Sequence, residues 1–377
     1  MKETLIKCLN TAWIIAVAIT VSFASMAFAA SVEQETLSYL ERIKAMKADA
    51  DATTIESYNK TMDAAWKFFK ANKPSVLPVL RRELQRELKS ERPNYLILLD
   101  IGYFIRFEPA AADKELGRAA LLRIEPNAPI LRQNQQQLFH FAHLVAPDQD
   151  PQILPFLDKA FLRKKVTVYL PQHSLELDEM LVCVFLYGIH GPASEQHLRN
   201  LLGDREITKK IVEILVWLGT PESVPAVKAV MLGNRDYETF ARGTAFMMSA
   251  GGPQGRSFML SLNPKNFDAK SQQYYERVRR DIEAVSYQAI RKQFSGSGRP
   301  VLTDAELKKR LAAMYENYGK DKDTNPGAVL DSGLPKDFLI NELQRIRSRM
   351  FNRLSDEALH DVEMTNAILS ALYYRSK

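Results

Sequence analysis

The segment Ser75-Val76-Leu77-Pro78-Val79-Leu80 is the first of three short stretches in this chain that place a proline between apolar residues. The other two are Gln152-Ile153-Leu154-Pro155-Phe156-Leu157 and Glu222-Ser223-Val224-Pro225-Ala226-Val227. Pro78 and Pro155 are 77 residues apart, and Pro155 and Pro225 are 70 apart. Each interval equals two periods of roughly 35–40 residues, which is a length typical of paired-helix repeats that stack on one another. The spacing therefore predicts an all-α chain built from such pairs.

Apolar periodicity also predicts helices along most of the chain. Ile207, Ile211, Ile214, Leu215 and Leu218 recur at offsets that place them on one face of a helix. Many candidate helices open with a proline, whose missing N–H costs nothing at the first helical position. The clearest predicted helices are Pro74–Glu91, Pro93–Phe107, Ala111–Ile124, Pro129–Val145, Pro192–Leu202, Arg205–Leu218, Pro221–Leu232, Asp236–Ser249 and Pro253–Leu262. The stretch Val166–Leu170 looks extended, but it is isolated, so we interpret it as a connector and not as part of a sheet.

A shorter, proline-opened helix alternates with a longer apolar one over residues 74–262, and this alternation resembles HEAT-like helical repeats. The resemblance implies an all-α fold, a right-handed alpha-alpha superhelix of HEAT-like helix pairs over residues 30–294. Ser295-Gly296-Ser297-Gly298-Arg299-Pro300 predicts a flexible linker at 295–302. Residues 303–377 then form a C-terminal helical segment, which either caps the array or is a separate module.

The first 29 residues have the features of a cleavable signal peptide. Lys2 and Lys7 precede the apolar run Ala12–Val21, and Ala27-Phe28-Ala29 supplies the small-x-small pattern before the cleavage site. We therefore expect an exported, periplasmic protein with no stable membrane span after cleavage. The alternative is an uncleaved N-terminal anchor, because the run Thr11–Ala30 is long enough to cross a bilayer.

Net charge limits the class of partner, and cysteine content excludes an internal disulfide. Removal of Lys2, Lys7 and Glu3 with the signal leaves 49 Lys and Arg against 44 Asp and Glu, from totals of 51 and 45, a net charge of +5. This excess is spread over the chain and forms no basic stripe, so we expect no nucleic-acid partner. Only Cys183 remains, which cannot form an internal disulfide, and its apolar neighbours predict a buried position.

Two histidines form the first weak candidate for a metal site. His140 and His143 are three residues apart and share a helix face, with Asp148 and Asp150 just beyond. Two imidazoles and a carboxylate could hold a metal ion with an open coordination position. The alternative is a pair of unliganded histidines packed among aromatic side chains at a repeat interface.

A second weak candidate resembles part of a calcium loop. Asp321, Asp323 and Asn325 occupy positions 1, 3 and 5 of such a loop. Pro326 then stands where the loop needs glycine, and Ser332 stands at the twelfth position where glutamate is expected. A turn rich in Asp and Asn explains the same residues.

Other signals of chemistry are weak or absent. The sequence has no phosphate-binding glycine loop, nucleophile elbow, paired CxxC or His-Glu-x-x-His motif. His190 and His197 flank a predicted turn and are a weaker pair than His140 and His143. The polar run Arg132–Gln137 could bind a glycan or a peptide backbone, or it could be a solvent-facing helix side. Aromatic residues that could anchor a partner peptide are Trp66, Phe68, Phe69, Tyr103, Phe104 and Phe107.

These observations predict an exported, non-catalytic helical-repeat scaffold that binds a protein or peptide partner in the cell envelope. They predict no cofactor, and they leave the oligomeric state open. One alternative is an envelope metal-dependent hydrolase that uses the face of His140 and His143. Another is a structural factor that binds cell wall or acidic glycan, which only the net charge of +5 favours.

Overall fold

The computed structural model describes residues 30–46, 52–170, 175–234 and 236–284, together with scattered residues between 303 and 368. The chain divides into two compact units, Met1–Val145 and Ala146–Lys377, which we call the N-terminal unit and the C-terminal unit. The predicted signal peptide, the linker at 295–302 and most of the C-terminal segment lie outside the described residues.

The N-terminal unit is helical and is organised around one buried helix. Its elements are α1 (30–44), α2 (Ala52–Ala71), α3 (Lys73–Lys89), α4 (Tyr95–Arg106), α5 (Ala111–Arg123), a 3-10 turn (Pro129–Leu131) and α6 (Gln135–Val145). Helix α4 contacts α3, α5 and α6. It is apolar almost all round, as a helix enclosed by others must be. Gly102 permits this close packing, because a Cβ there would lie 2.7 Å from the Ala120 Cβ and 2.9 Å from the Phe141 ring.

The described part of the C-terminal unit is also helical, with one short hairpin. It begins with a 3-10 turn (Ala146–Asp148), α7 (Ile153–Leu157), a π-helical turn (Asp158–Leu162) and strands β1 (Val168–Leu170) and β2 (Leu175–Leu177). It continues with α8 (Glu179–His190), α9 (Ala193–Leu201), α10 (Thr208–Leu218), a 3-10 turn (Pro221–Ser223), α11 (Val224–Gly233), α12 (Tyr237–Met248), α13 (Gly252–Ser261), a 3-10 turn (Pro264–Asn266) and α14 (Ala269–Ala284). Helices α8, α10, α12 and α14 contact one another in succession. The shorter helices pack beside them: α9 contacts α8 and α10, whereas α11 and α13 contact α12 and each other.

The three proline segments have matching patterns of burial. Pro78, Pro155 and Pro225 are all exposed. In each segment the two residues before the proline and the second residue after it are buried. A proline on the solvent side of the first turns leaves the apolar side chains on its two flanks free to enter the core.

The predicted all-α class is confirmed for the described residues, with one correction at Val166–Leu170. We predicted a connector, and the structure instead pairs β1 with β2 in an antiparallel hairpin. Val168 pairs with Leu177 across the hairpin, and both are buried. Tyr169, the next residue along β1, is exposed. The sequence Leu175-Glu176-Leu177 supplies the second alternating strand that we had not recognised.

The prediction of one helix over Pro129–Val145 is also wrong. The chain forms a single 3-10 turn at Pro129–Leu131 and begins α6 only at Gln135. The Asn134 amide donates to the Ile130 carbonyl, and the Gln135 amide donates to the Leu131 carbonyl. These side chains take the place of backbone N–H groups, so the helix does not continue through this point.

Several other prolines expected to begin helices, including Pro93, Pro109 and Pro192, lie just outside them. Pro93 precedes Asn94, whose side chain accepts hydrogen bonds from the backbone N–H groups of Leu96 and Ile97 at the start of α4. Pro109 lies in the bend before α5. No helix among the described residues has both the length and the apolar character required to span a bilayer.

Candidate functional site

A line of aromatic rings runs from the core of the N-terminal unit to its surface. Trp66 on α2 lies 5.6 Å from Tyr103 on α4, measured between ring centroids. Tyr103 lies 5.0 Å from Phe107, edge to face, at the end of the same helix. Trp66 and Tyr103 are half-buried, and Phe107 is 55% exposed. We call these three residues the aromatic ladder.

Buried rings hold the ladder in place. Phe104 is buried and lies 5.1 Å from Trp66 and 5.6 Å from Phe69, which is buried as well. The aromatic residues singled out in the sequence therefore divide into a core pair, Phe69 and Phe104, and a surface set. Because the ladder rests on fixed packing, a partner that contacts it immobilises few additional side chains.

One lysine lies beside the ladder. Lys70 Nζ lies 5.5 Å from the centroid of the Trp66 ring, a cation–π distance. Lys67 and Lys70 are exposed, and among the described residues neither lies within ion-pair distance of a carboxylate. Lys73, by contrast, pairs with Glu108 at 2.8 Å. The ladder thus combines an apolar face with the charge of Lys70, which has no carboxylate partner in the described part of the chain.

A buried carboxyl group ties three helices of the same unit together. Asp100 on α4 is 0% exposed, and the Tyr58 hydroxyl on α2 donates to its Oδ2 at 2.5 Å. The Gln137 amide on α6 donates to its Oδ1. Burial raises the pKa of Asp100 to about 7, although both hydrogen bonds oppose the rise. Three of the six residues in the predicted polar run Arg132–Gln137 therefore have structural hydrogen bonds. Gln137 donates to Asp100, and the side chains of Asn134 and Gln135 donate to backbone carbonyls.

A second polar cluster lies in the C-terminal unit, where the π-helical turn meets α8 and α9. His197 Nε2 lies 2.9 and 3.0 Å from the two carboxylate oxygens of Asp158, the first residue of that turn. The hydroxyl of the buried Tyr187 donates to Asp158 Oδ1 at 2.6 Å. Asp158 therefore links three elements, and sequence reasoning missed it because its partners are 29 and 39 residues away.

A buried histidine and a buried serine flank the turn between α8 and α9. His190 is the last residue of α8, and Ser194 is the second residue of α9. His190 Nε2 lies 3.2 Å from the Asp150 carbonyl oxygen, so this nitrogen carries the proton in the neutral ring. Burial lowers the pKa of His190, against the opposing effect of that hydrogen bond. Ser194 Oγ and His190 Nδ1 have no hydrogen-bond partner among the described residues. Among the described residues, Ser194 therefore has no hydrogen-bonded base of the kind that activates a nucleophilic serine.

The one cysteine in the described residues is equally unsuited to nucleophilic chemistry. Cys183 on α8 is fully buried. Burial raises the pKa of its thiol to about 12, and the nearby Lys210 lowers it only in part. The thiol therefore stays protonated at neutral pH, whereas a reactive cysteine requires the thiolate.

The predicted metal candidates are placed as follows. His140 and His143 lie on α6 beside Phe139, with ring centroids 5.5 and 6.0 Å from its ring. Burial lowers the pKa of His140. Within the described ranges, no three His, Cys, Asp or Glu side chains come together as a metal site. Asp321 and Asp323 lie outside the described residues.

Comparison with known proteins does not assign this chain to a family. The chain matches no protein-family model, no curated protein and no solved structure. The aromatic ladder, the lysine beside it and the two polar clusters are therefore the observations from which a function is inferred.

Proposed function

We propose that this chain is an exported, non-catalytic helical-repeat scaffold whose aromatic ladder holds a segment of a protein partner in the cell envelope. The observation that carries the proposal is Phe107, 55% exposed at the end of a ladder whose inner rings are packed. An exposed aromatic side chain on a rigid base is a typical anchor of a protein interface. Export rests on the signal-peptide features of residues 1–29.

We further propose that the helices of the C-terminal unit are HEAT-like pairs in a right-handed superhelix. Two observations support this arrangement. Longer helices α8, α10, α12 and α14 contact in succession while α9, α11 and α13 pack beside them. The proline segments at Pro78, Pro155 and Pro225 share one pattern of exposure and burial. Paired-helix arrays of this kind offer extended surfaces for partners.

The chemistry of the ladder indicates the kind of segment that it binds. Trp66, Tyr103 and Phe107 offer an apolar face, which suits a large apolar side chain of the partner. Lys70 beside Trp66 favours a carboxylate next to that side chain, since opposite charges across an interface guide association. We therefore propose a peptide segment with an apolar anchor flanked by Asp or Glu.

Site-specific crosslinking in cells tests this proposal. With a photo-crosslinking amino acid at position 107 of the full chain, we expect one dominant crosslinked envelope protein. Replacing Trp66 and Tyr103 with alanine in the same chain is expected to reduce its yield at least about tenfold, since hot-spot aromatic residues contribute about 2 kcal/mol or more each. Mass spectrometry of the product identifies the contacted segment.

Tyr169 provides a matched control, because it is 50% exposed but lies on the hairpin of the C-terminal unit. The same crosslinker at position 169 should not yield that partner. The proposal fails if position 107 gives no specific product, or if the yield survives the loss of Trp66 and Tyr103.

A further inference from the structure

Arg256 on α13 is a buried arginine with open hydrogen-bond donors. Its residue is 6% exposed. Its Nε and Nη1 atoms are buried, and neither has an acceptor among the described residues. These two nitrogens lie on different edges of the guanidinium, so the side chain has unused donors in more than one direction.

Other arginines in the C-terminal unit do have carboxylate partners. Arg199 Nη1 lies 3.4 Å from Glu222 and 3.7 Å from Glu195. Arg242 Nε donates to Glu213 at 3.0 Å. Both arginines are more exposed than Arg256, so the arginine with the greatest need for a counter-charge is the one without a neighbouring carboxylate in the described part of the unit.

Loss of a proton does not remove this buried charge, because an arginine side chain stays protonated at all physiological pH values. A buried charge without a partner is strongly unfavourable, and hydrogen bonds from a guanidinium to an oxyanion are among the strongest in proteins. Arg256 therefore favours binding of a group that carries a negative charge on oxygen.

The residues of α13 around Arg256 add no negative charge. Helix α13, Gly252–Ser261, contains no acidic residue. Lys228 on α11 also lies against this helix, with its Nζ 5.2 Å from the ring centroid of Phe258. Leu260, one turn beyond Arg256, is exposed, so the helix reaches the protein surface one turn from the buried guanidinium.

We propose that Arg256 anchors a binding site for an oxyanion, a carboxylate or a phosphate group, on α13 of the C-terminal unit. The site is independent of the aromatic ladder, which belongs to the other unit. Its ligand is recognised by a buried guanidinium on a helix that contains no acidic residue, and it requires no metal or covalent chemistry.

Titration of the full-length protein with inorganic phosphate and, separately, with acetate at constant ionic strength tests the proposal. We expect the Nε–H resonance of Arg256 to shift and saturate with at least one of the two anions. We also expect Tm to rise with the concentration of that anion, because a ligand that binds only the folded state stabilises it by mass action. Saturation by one anion alone assigns the chemical class of the ligand.

R256Q should lose the anion-dependent rise in Tm, whereas R277Q should retain it, because Arg277 on α14 is exposed. If R256Q does not fold, the resonance titration of the wild-type protein still decides the question, with R256K used to assign the signal. Absence of a saturable shift with both anions overturns the proposal. An equal rise in Tm for the wild type and a folded R256Q overturns it too.

Discussion

Replacing Ile214 with Asp is expected to destabilise the C-terminal unit by more than about 4 kcal/mol, the largest effect of any single substitution considered. Ile214 is 0% exposed on α10, a helix that contacts α8, α9 and α12. The substitution removes apolar contacts and places a carboxylate at a fully buried position. The cost of burying such a group without a partner greatly exceeds the cost of losing methyl groups. Urea unfolding followed by circular dichroism at pH 7 measures the loss.

Ile214→Val separates the two contributions, because it removes one methylene and adds no charge. We expect it to cost about 0.5–1.5 kcal/mol. The penalty of Ile214→Asp should also shrink at pH 4, where a buried carboxyl is easily protonated. An unchanged unfolding curve for Ile214→Asp at pH 7 would show that this face of α10 does not lie in the core.

Asp100→Asn is expected to stabilise the protein at pH 8. The pKa of Asp100 is about 7 in the folded state, against 3.8 for the ordinary carboxyl, so the folded state binds more protons between these two values. Stability contributed by the protonated group is therefore complete below pH 4 and is lost as the pH rises towards 7. A difference of about three pKa units corresponds to a loss on the order of 4 kcal/mol. Asparagine keeps the acceptor for Tyr58 and carries no charge, and rotation of the Gln137 amide satisfies its NH2 group.

The measurement is urea unfolding of both proteins at pH 4, 6 and 8. The advantage of Asp100→Asn should grow across this range, and contributions from His140 and His190 should cancel in the difference. Asp113→Asn is the matched control: Asp113 is also buried in the N-terminal unit, but Arg81 binds both of its oxygens at 2.6 Å. That variant should lose stability at pH 8, because it leaves a guanidinium without its partner. If Asp100→Asn is also less stable than the wild type at pH 8, the buried carboxyl is ionised and stabilised in the fold.

Helical periodicity was the reliable part of the sequence because it depends on neighbours three and four residues apart. Ile207, Ile211, Ile214 and Leu215 are all buried, as their spacing predicts, and Leu218 is half-buried. Helix ends were less reliable. Thr220 caps its 3-10 turn as its sequence indicates, whereas Pro93 and Pro109 precede helices without starting them. A proline fits both the first helical position and the bend before it, so the residue alone does not distinguish them.

The polar networks and the ladder depend on contacts that no local pattern reveals. Gln137 reaches Asp100 across 37 residues, and His197 reaches Asp158 across 39. The only available signal for the first was a lone acidic residue in the apolar run Leu98-Leu99-Asp100-Ile101. The aromatic residues were recognised as a group, but their division into core and surface requires the packing of α2 against α4. The burial of Arg256 could not be predicted, because the apolar spacing that marks a buried helix face does not identify a buried arginine.

The reactivity of Cys183 reports how often the C-terminal unit opens. Its thiol is buried on α8, and because burial raises its pKa to about 12, it is unreactive while the helix stays packed. A thiol-specific reagent can therefore modify the chain between residues 30 and 377 only after α8 has separated from its neighbours. The labelling rate under native conditions then reports how often that happens, with no mutation of the chain.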